Sequence, residues 1–322
     1  MFRTPLTASH RTWTLPAAAA TVALLAISAC GSASPASTGS TATPPPKTTS
    51  SAPTPSGMPM PSPSGMGGGM PGMDMTSGAH HADPGKGLLA AEDGYTLVPS
   101  NKALTVGTQT VSFKIIEAAS GQPVQTYTLD QTKLLHFYLV RSDLTGYVHD
   151  HPVLAKDGTW SIKVKVAQPG PYRMYADFVA KDNAGKDHPV VLSAPLTAPG
   201  AVTKAAINTS PRTQTVGGLT VAMTGPIKAG TESKVDFQVS AGGKPVTDLE
   251  QYLDSFAHMT AIHAGDLAYQ HVHPELTASP GQRGGPALPF TVELPEKGTW
   301  RLFLQIQRGG ALRLVPFTVT VS

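Results

Sequence analysis

The chain has 322 residues, a formal net charge of +3, one cysteine, and only 14% charged residues. Basic residues this sparse and scattered argue against nucleic-acid binding, which needs a clustered positive face. If that one cysteine is covalently modified no thiol remains, which excludes a disulfide, an iron–sulfur cluster and a cysteine-ligated blue-copper site.

Residues 1–30 read as a processing segment. Arg3 and Arg11 give a positive start, and the apolar run that follows falls short of the roughly 20 residues a membrane span needs. The run ends in Ile27-Ser28-Ala29-Cys30. That ending resembles the lipobox of bacterial lipoproteins, which implies lipid attachment at Cys30, a membrane partner and display on the extracytoplasmic face. Residues 31–86 hold many Pro, Gly, Ser and Thr and no aromatic residue. Such a segment cannot bury enough apolar surface to order itself and reads as a disordered tether. Its flexible span is roughly 40 Å. Near its end stand Met58, Met60, Met66, Met70, Met73 and Met75, then His80 and His81. Soft thioethers select Cu(I), so Met66, Met70, Met73, Met75, His80 and His81 are candidate copper-capture ligands.

From residue 87 the composition becomes globular. Short alternating runs at 110–116, 134–140, 161–166, 172–178 and 190–192 are separated by Gly, Pro, Asn and Asp. This pattern predicts an all-β chain of sandwich domains. Residues 249–256 could form one helical turn. The second half repeats the plan of the first at an offset of 122 residues, which becomes 128 beyond an insertion. Two tandem domains follow, 87–199 and 200–322, with a hinge expected at 195–204.

The repeat carries the chemistry. Residues 134–152 read LLHFYLVRSDLTGYVHDHP, and residues 256–274 read FAHMTAIHAGDLAYQHVHP. Each holds His, twelve residues, His, one residue, His, Pro. The histidines are His136, His149 and His151 in the first copy and His258, His271 and His273 in the second. Residues two apart on a strand share a face, so each His-x-His pair projects together. A two-strand turn would bring the third histidine beside it. Three imidazoles suit Zn²⁺ or Cu²⁺, giving one candidate site per domain. The alternative is a hydrogen-bonded structural role for the same rings. Tyr147 and Tyr269, two residues before each pair, could orient a ring or act as weak oxygen ligands. Asp177 is a candidate outer partner, a role weakened by Gln305 at the matching position. His188 is placed in a loop and His263 facing away. Trp160, Trp300 and Met174 read as core, and Arg173 and Arg301 as solvated. With no carboxylate shared by both copies near the histidines, the chain reads as a non-enzyme.

The segments at 90–115 (AAEDGYTLVPSNKALTVGTQTVSFKI), 135–152 and 301–319 (RLFLQIQRGGALRLVPFTV) resemble actinobacterial secreted proteins and lipoproteins of the YtkA-like, heavy-metal-binding type. The likeness covers about 87–322. It implies Ig- or cupredoxin-like β-domains and an extracytoplasmic location. Members commonly carry leucine between the paired histidines, where this chain has Asp150 and Val272. The expectation is a metal-binding lipoprotein serving copper buffering, delivery or tolerance, with another copper-handling or envelope protein as partner. A cell-surface interaction module is the alternative.

Overall fold

A computed structural model describes residues 87–182 and 184–322, all within one compact unit of the chain. The processing segment, Cys30, the tether and the Met66, Met70, Met73, Met75, His80 and His81 tract lie outside the described residues. Every described regular element is a strand, and every strand pairing is antiparallel.

The first sandwich sets Ala91–Glu92, Tyr95–Pro99, Gly107–Glu117, Thr159–Val166 and Val153–Leu154 in one sheet. The other sheet runs Asp187–Ala198, Gly170–Lys181, Leu135–Arg141, Val148–Asp150, with Tyr127–Thr128 beside Gly170–Lys181. The second sandwich repeats the arrangement. Leu219–Thr224, Ser233–Ala241 and Ala287–Val292 form the heart of its first sheet. Tyr269–Val272, Ala257–His263, Gly298–Arg308 and Ala311–Val321 form its second.

Alternation explains the cores. On Leu135–Arg141, Leu135, Phe137 and Leu139 enter the first core with Phe113, Trp160 and Met174. On Ala257–His263, Ala257, Met259 and Ala261 enter the second core with Phe237, Phe290 and Trp300. The opposite faces are buried too, because all seven residues of Leu135–Arg141 are buried. Tyr138, Val140 and Tyr175 of the first sandwich cluster with Ile262, Tyr269 and Phe303 of the second. The two histidine-bearing sheets therefore pack on one another through their outer faces. The contact is close to two-fold symmetric. Tyr147 stacks on Phe303 with centroids 3.9 Å apart, and the corresponding Tyr269 stacks on Tyr175 at 5.3 Å.

Several expectations are corrected. Residues 249–256 make no helical turn. Leu249–Glu250 is a short strand and Tyr252 bridges to Ser255, a tight reversal in which Leu253 takes φ 62. The hinge does not start at 195. Pro195 lies within Asp187–Ala198, an edge strand, where the missing N–H breaks no ladder. The same strand carries His188, which bonds Asp182 at 2.9 Å. Arg173 and Arg301 are not solvated. Arg173 donates to Ser193 Oγ, and Arg301 crosses between domains to Leu144 O at 3.0 Å.

The segment after the edge strand is also tied down. Buried Arg141 pairs with buried Asp143, donates to Thr203 O at 2.8 Å, and Asp143 accepts from Ala205 N at 2.8 Å. Removing one partner of a buried pair strands the other charge, at a cost of about 3–5 kcal/mol. Asp143→Ala should lower unfolding free energy by that amount in urea at pH 7. The double change Arg141→Met with Asp143→Leu should cost distinctly less.

Candidate metal centre

His136 lies mid-strand on Leu135–Arg141, and His149 on Val148–Asp150, paired antiparallel with it. His151 follows that short strand immediately. Tyr138 is the residue opposite His149, so the neighbouring position, His136, meets the His149–His151 pair. The predicted convergence is present: His136 Nδ1 is 3.2 Å from His149 Nε2 and 3.3 Å from His151 Nε2. These three nitrogens form a group able to hold a metal ion.

Their second nitrogens determine what the first ones can do. His136 Nε2–H donates to the Asp130 carbonyl at 3.1 Å. His149 Nδ1–H donates to Gln305 Oε1 at 2.5 Å. Each neutral ring has one proton, and both protons are committed to oxygens. His136 Nδ1 and His149 Nε2 therefore face each other lone pair to lone pair. A cation between them removes that repulsion. Two nitrogens bound at about 2.05 Å in a tetrahedron lie about 3.3 Å apart, which is the spacing observed. Oxygen acceptors behind ligating imidazoles also fix the tautomer that metal ligation requires.

The second triad is present but differently committed. The two triads meet at the domain interface, with the His149 and His258 rings 4.5 Å apart and those of His136 and His271 5.8 Å apart. His271 Nδ1–H donates to Asp177 at 2.9 Å, and Tyr138 O–H donates to His258 Nε2 at 3.2 Å. The side chain of Gln131 lies among all three rings. Its Oε1 accepts from His258 Nδ1 at 3.1 Å, and its Nε2 is 3.0 Å from His271 Nε2 and 3.4 Å from His273 Nδ1. One site per domain was expected; the structure sets the two triads side by side across the interface, and of the six histidines only His136, His149 and His151 are ligand-spaced among the described residues.

The outer partners are exchanged between domains. Asp177 sits opposite His136 in its own sheet yet serves His271, while Gln305 sits opposite His258 yet serves His149. The tyrosine expectation is corrected. Tyr269 O–H donates to Asp177 at 2.8 Å, and Tyr147 packs flat on Phe303. Both serve the interface rather than a metal position. Sequence reading missed Gln131 and Tyr138 and undervalued Gln305. His263, as expected, points elsewhere, bonding Asp266 at 2.8 Å. With Glu296 those two form another ligand-spaced group, but both its carboxylates are exposed. Beside His271 and His273 opens a cleft of about 540 Å³ whose walls carry Asp130, Glu232, Asp254 and Glu293.

Burial pushes the His136 imidazole down to about 4, aided by nearby His271. It does the same to His151, with Lys133 contributing, and holds His149 and His258 well below the usual range. Burial opposes charge on His271 as well, but the Asp177 carboxylate outweighs it and raises that ring.

Residues 90–193 and 214–322 both match a family described as a domain of unknown function (DUF8832). The chain belongs to this family. Its two matched segments correspond to the two sandwiches. No curated protein is a match. Among solved structures, InvD of Yersinia pseudotuberculosis is 14% identical over 71% of this chain and 57% of that one, with a TM-score of 0.22. A putative membrane-anchored protein from Corynebacterium diphtheriae is 11% identical over 71% and 57%, with a TM-score of 0.21. The D0-D1 domain of intimin is 10% identical over 70% and 96%, with a TM-score of 0.20. The match thus spans little more than half of the first two proteins. Likenesses this slight carry no functional argument.

A pH dependence follows from the lowered rings. In the unfolded chain they protonate near their ordinary value of about 6.5. In the fold, His136 and His151 stay neutral down to about 4. Between those values the unfolded state binds more protons, so stability falls as the pH drops. For His136 alone the effect is on the order of 3 kcal/mol. His271, raised, works the other way but is outnumbered. Metal-free protein should lose thermal stability steadily from pH 6.5 to 4. His149→Gln with His258→Gln should flatten the decline.

Proposed function

We propose that this protein is an extracytoplasmic, lipid-anchored metal-binding protein that holds copper or zinc at His136, His149 and His151. The observation that carries this reading is the pair of buried lone pairs 3.2 Å apart, each locked in place by an oxygen acceptor behind its ring. An all-imidazole set suits Zn²⁺ and Cu²⁺, while the Met66, Met70, Met73, Met75, His80 and His81 tract suits Cu(I). The two ligand sets together favour copper, with buffering, delivery or tolerance as the role. The resemblance to YtkA-like proteins and the lipobox-like Ile27-Ser28-Ala29-Cys30 support the same reading. The partner in such a role would be another copper-handling or envelope protein.

A second reading has its own observation. The rings of His258 and His271 are fully hydrogen-bonded through Gln131, Tyr138 and Asp177 without any ion. In an interaction module, both triads would serve only to dock the two sandwiches.

Metal titration of the full chain separates the two. Wild type should hold Zn²⁺ or Cu²⁺ after desalting, and His149→Ala should release one equivalent. Gln305→Ala should weaken that equivalent about 10- to 100-fold, the usual effect of losing an outer partner. Changing the four tract methionines to leucine should reduce Cu(I) uptake and leave Zn²⁺ binding unchanged. If His136→Ala and His149→Ala bind as wild type does, the metal reading fails.

A further inference from the structure

The second triad differs from the first in one respect that its sequence pattern does not show: a side chain from the other domain lies among its ring nitrogens. Gln131 brings one acceptor and one donor group to three imidazoles. The acceptor takes the proton of His258 Nδ1, and the amide nitrogen faces His271 Nε2 and His273 Nδ1. His258 Nδ1, His271 Nε2 and His273 Nδ1 are thus all turned toward the space the amide fills. Behind them, Asp177 fixes His271 from one side and Tyr138 fixes His258 from another.

We propose that His258, His271 and His273 form a second site for a borderline divalent cation, Zn²⁺ or Cu²⁺, and that Gln131 is the latch that keeps it closed. Three features of the latch support this. It sits on a tight reversal, bridged from Asp130 to Lys133, and its backbone is left-handed with φ 42. Its side chain is only half-buried and lines the cleft that reaches His271 and His273. The corresponding reversal of the other repeat, bridged from Tyr252 to Ser255, carries Leu253, which has no group to bond an imidazole. Of the positions at which the two triads differ, Gln131 is the one whose side chain lies among the facing ring nitrogens. Withdrawal of the amide toward the cleft would free these three nitrogens. The rings would then draw together around an ion, since among the described residues they are not yet ligand-spaced. His258 would pass its Nδ1 proton to Nε2, with the Tyr138 hydroxyl turning to accept it. Asp177 would then lie behind one ligand, as carboxylates do in many zinc sites. A cation entering from the cleft, past Asp130 and Asp254, would meet this triad before the first.

The proposal is separable from occupancy of the first triad. The test uses the full chain, loaded with zinc alone and desalted, with zinc counted per chain. Glycine is at home where φ is positive, so Gln131→Gly removes the latch without straining the reversal. It should hold one further zinc equivalent over wild type, and adding His271→Ala should remove that gain. Gln131→Ala is the second variant, with a thermal melt to confirm folding of both. Equal zinc in wild type and both folded Gln131 variants overturns the proposal. So does a wild-type equivalent already lost in His271→Ala, since Gln131 would then close nothing. If instead His149→Ala leaves wild-type zinc unchanged while Gln131→Gly still gains, the first-triad reading fails and the latch stands.

Discussion

The structure turns on a short contact between two ring nitrogens that both lack a proton. His136 and His149 come from adjacent strands of one sheet, and each has given its single N–H to an oxygen behind it. A neutral pair would be stable if either ring were free to flip its proton inward. Neither is, because a flip would forfeit the bond to Asp130 O or to Gln305 Oε1 and turn a lone pair toward that oxygen instead. Burial blocks the other escape, since protonating a ring in this setting is disfavoured down to about pH 4 for His136. His151 Nε2, 3.3 Å from His136 Nδ1, can offer that ring a proton, but the His149 lone pair still faces it; on the function proposed above, a cation would take that place.

Duplication explains how such a centre arose in a chain of two ordinary sandwiches. A sheet face that carries His, Tyr and Val cannot face another copy of itself without bringing histidine to histidine. The near-two-fold contact does this, and it matches Tyr147–Phe303 with Tyr269–Tyr175. The repeats have then diverged at the positions that touch the rings. Asp177 answers to Gln305, Tyr138 to Thr260, and Gln131 to Leu253. Each change moves a charge or a hydrogen-bonding group to one side. The second triad has a carboxylate, a phenol and an amide, and His258 and His271 are bonded at both ring nitrogens. The first has a neutral amide behind His149, and the lone pairs of His136 and His149 converge.

Much of this was legible in the residues. Gly107–Glu117, Thr159–Val166 and Gly170–Lys181 alternate cleanly and read as strands, and the spacing of the histidines specified which rings would meet within a repeat. What could not be read was the second buried face. His136, Tyr138 and Val140 look like the wet side of a half-buried strand, because polar alternation is the same whether water or another sheet covers it. Gln131 left no trace either, since its role depends on a left-handed turn from which its side chain reaches the histidines of the other domain. Gln305 was undervalued for lacking a charge, although an imidazole N–H needs only an oxygen. The hinge expected from 195 starts later, because Pro195 sits without penalty on an edge strand.

Because the outer partners are exchanged, the metal binding proposed for the first triad would be coupled to domain docking. The ligands of the first triad all lie in the first sandwich, yet the oxygen that holds His149 in its binding tautomer belongs to the second. If the sandwiches part, His149 loses that oxygen and its lone pair is no longer directed inward. An outer partner of this kind typically changes metal affinity about 10- to 100-fold, or about 1.4–2.7 kcal/mol. Linkage is reciprocal, so a bound metal would strengthen docking by the same factor. The ion would thus lie wholly within one domain and still act as a clasp between two. A cation held this way can be released by any partner that prises the sheets apart, without competing for the ligands themselves.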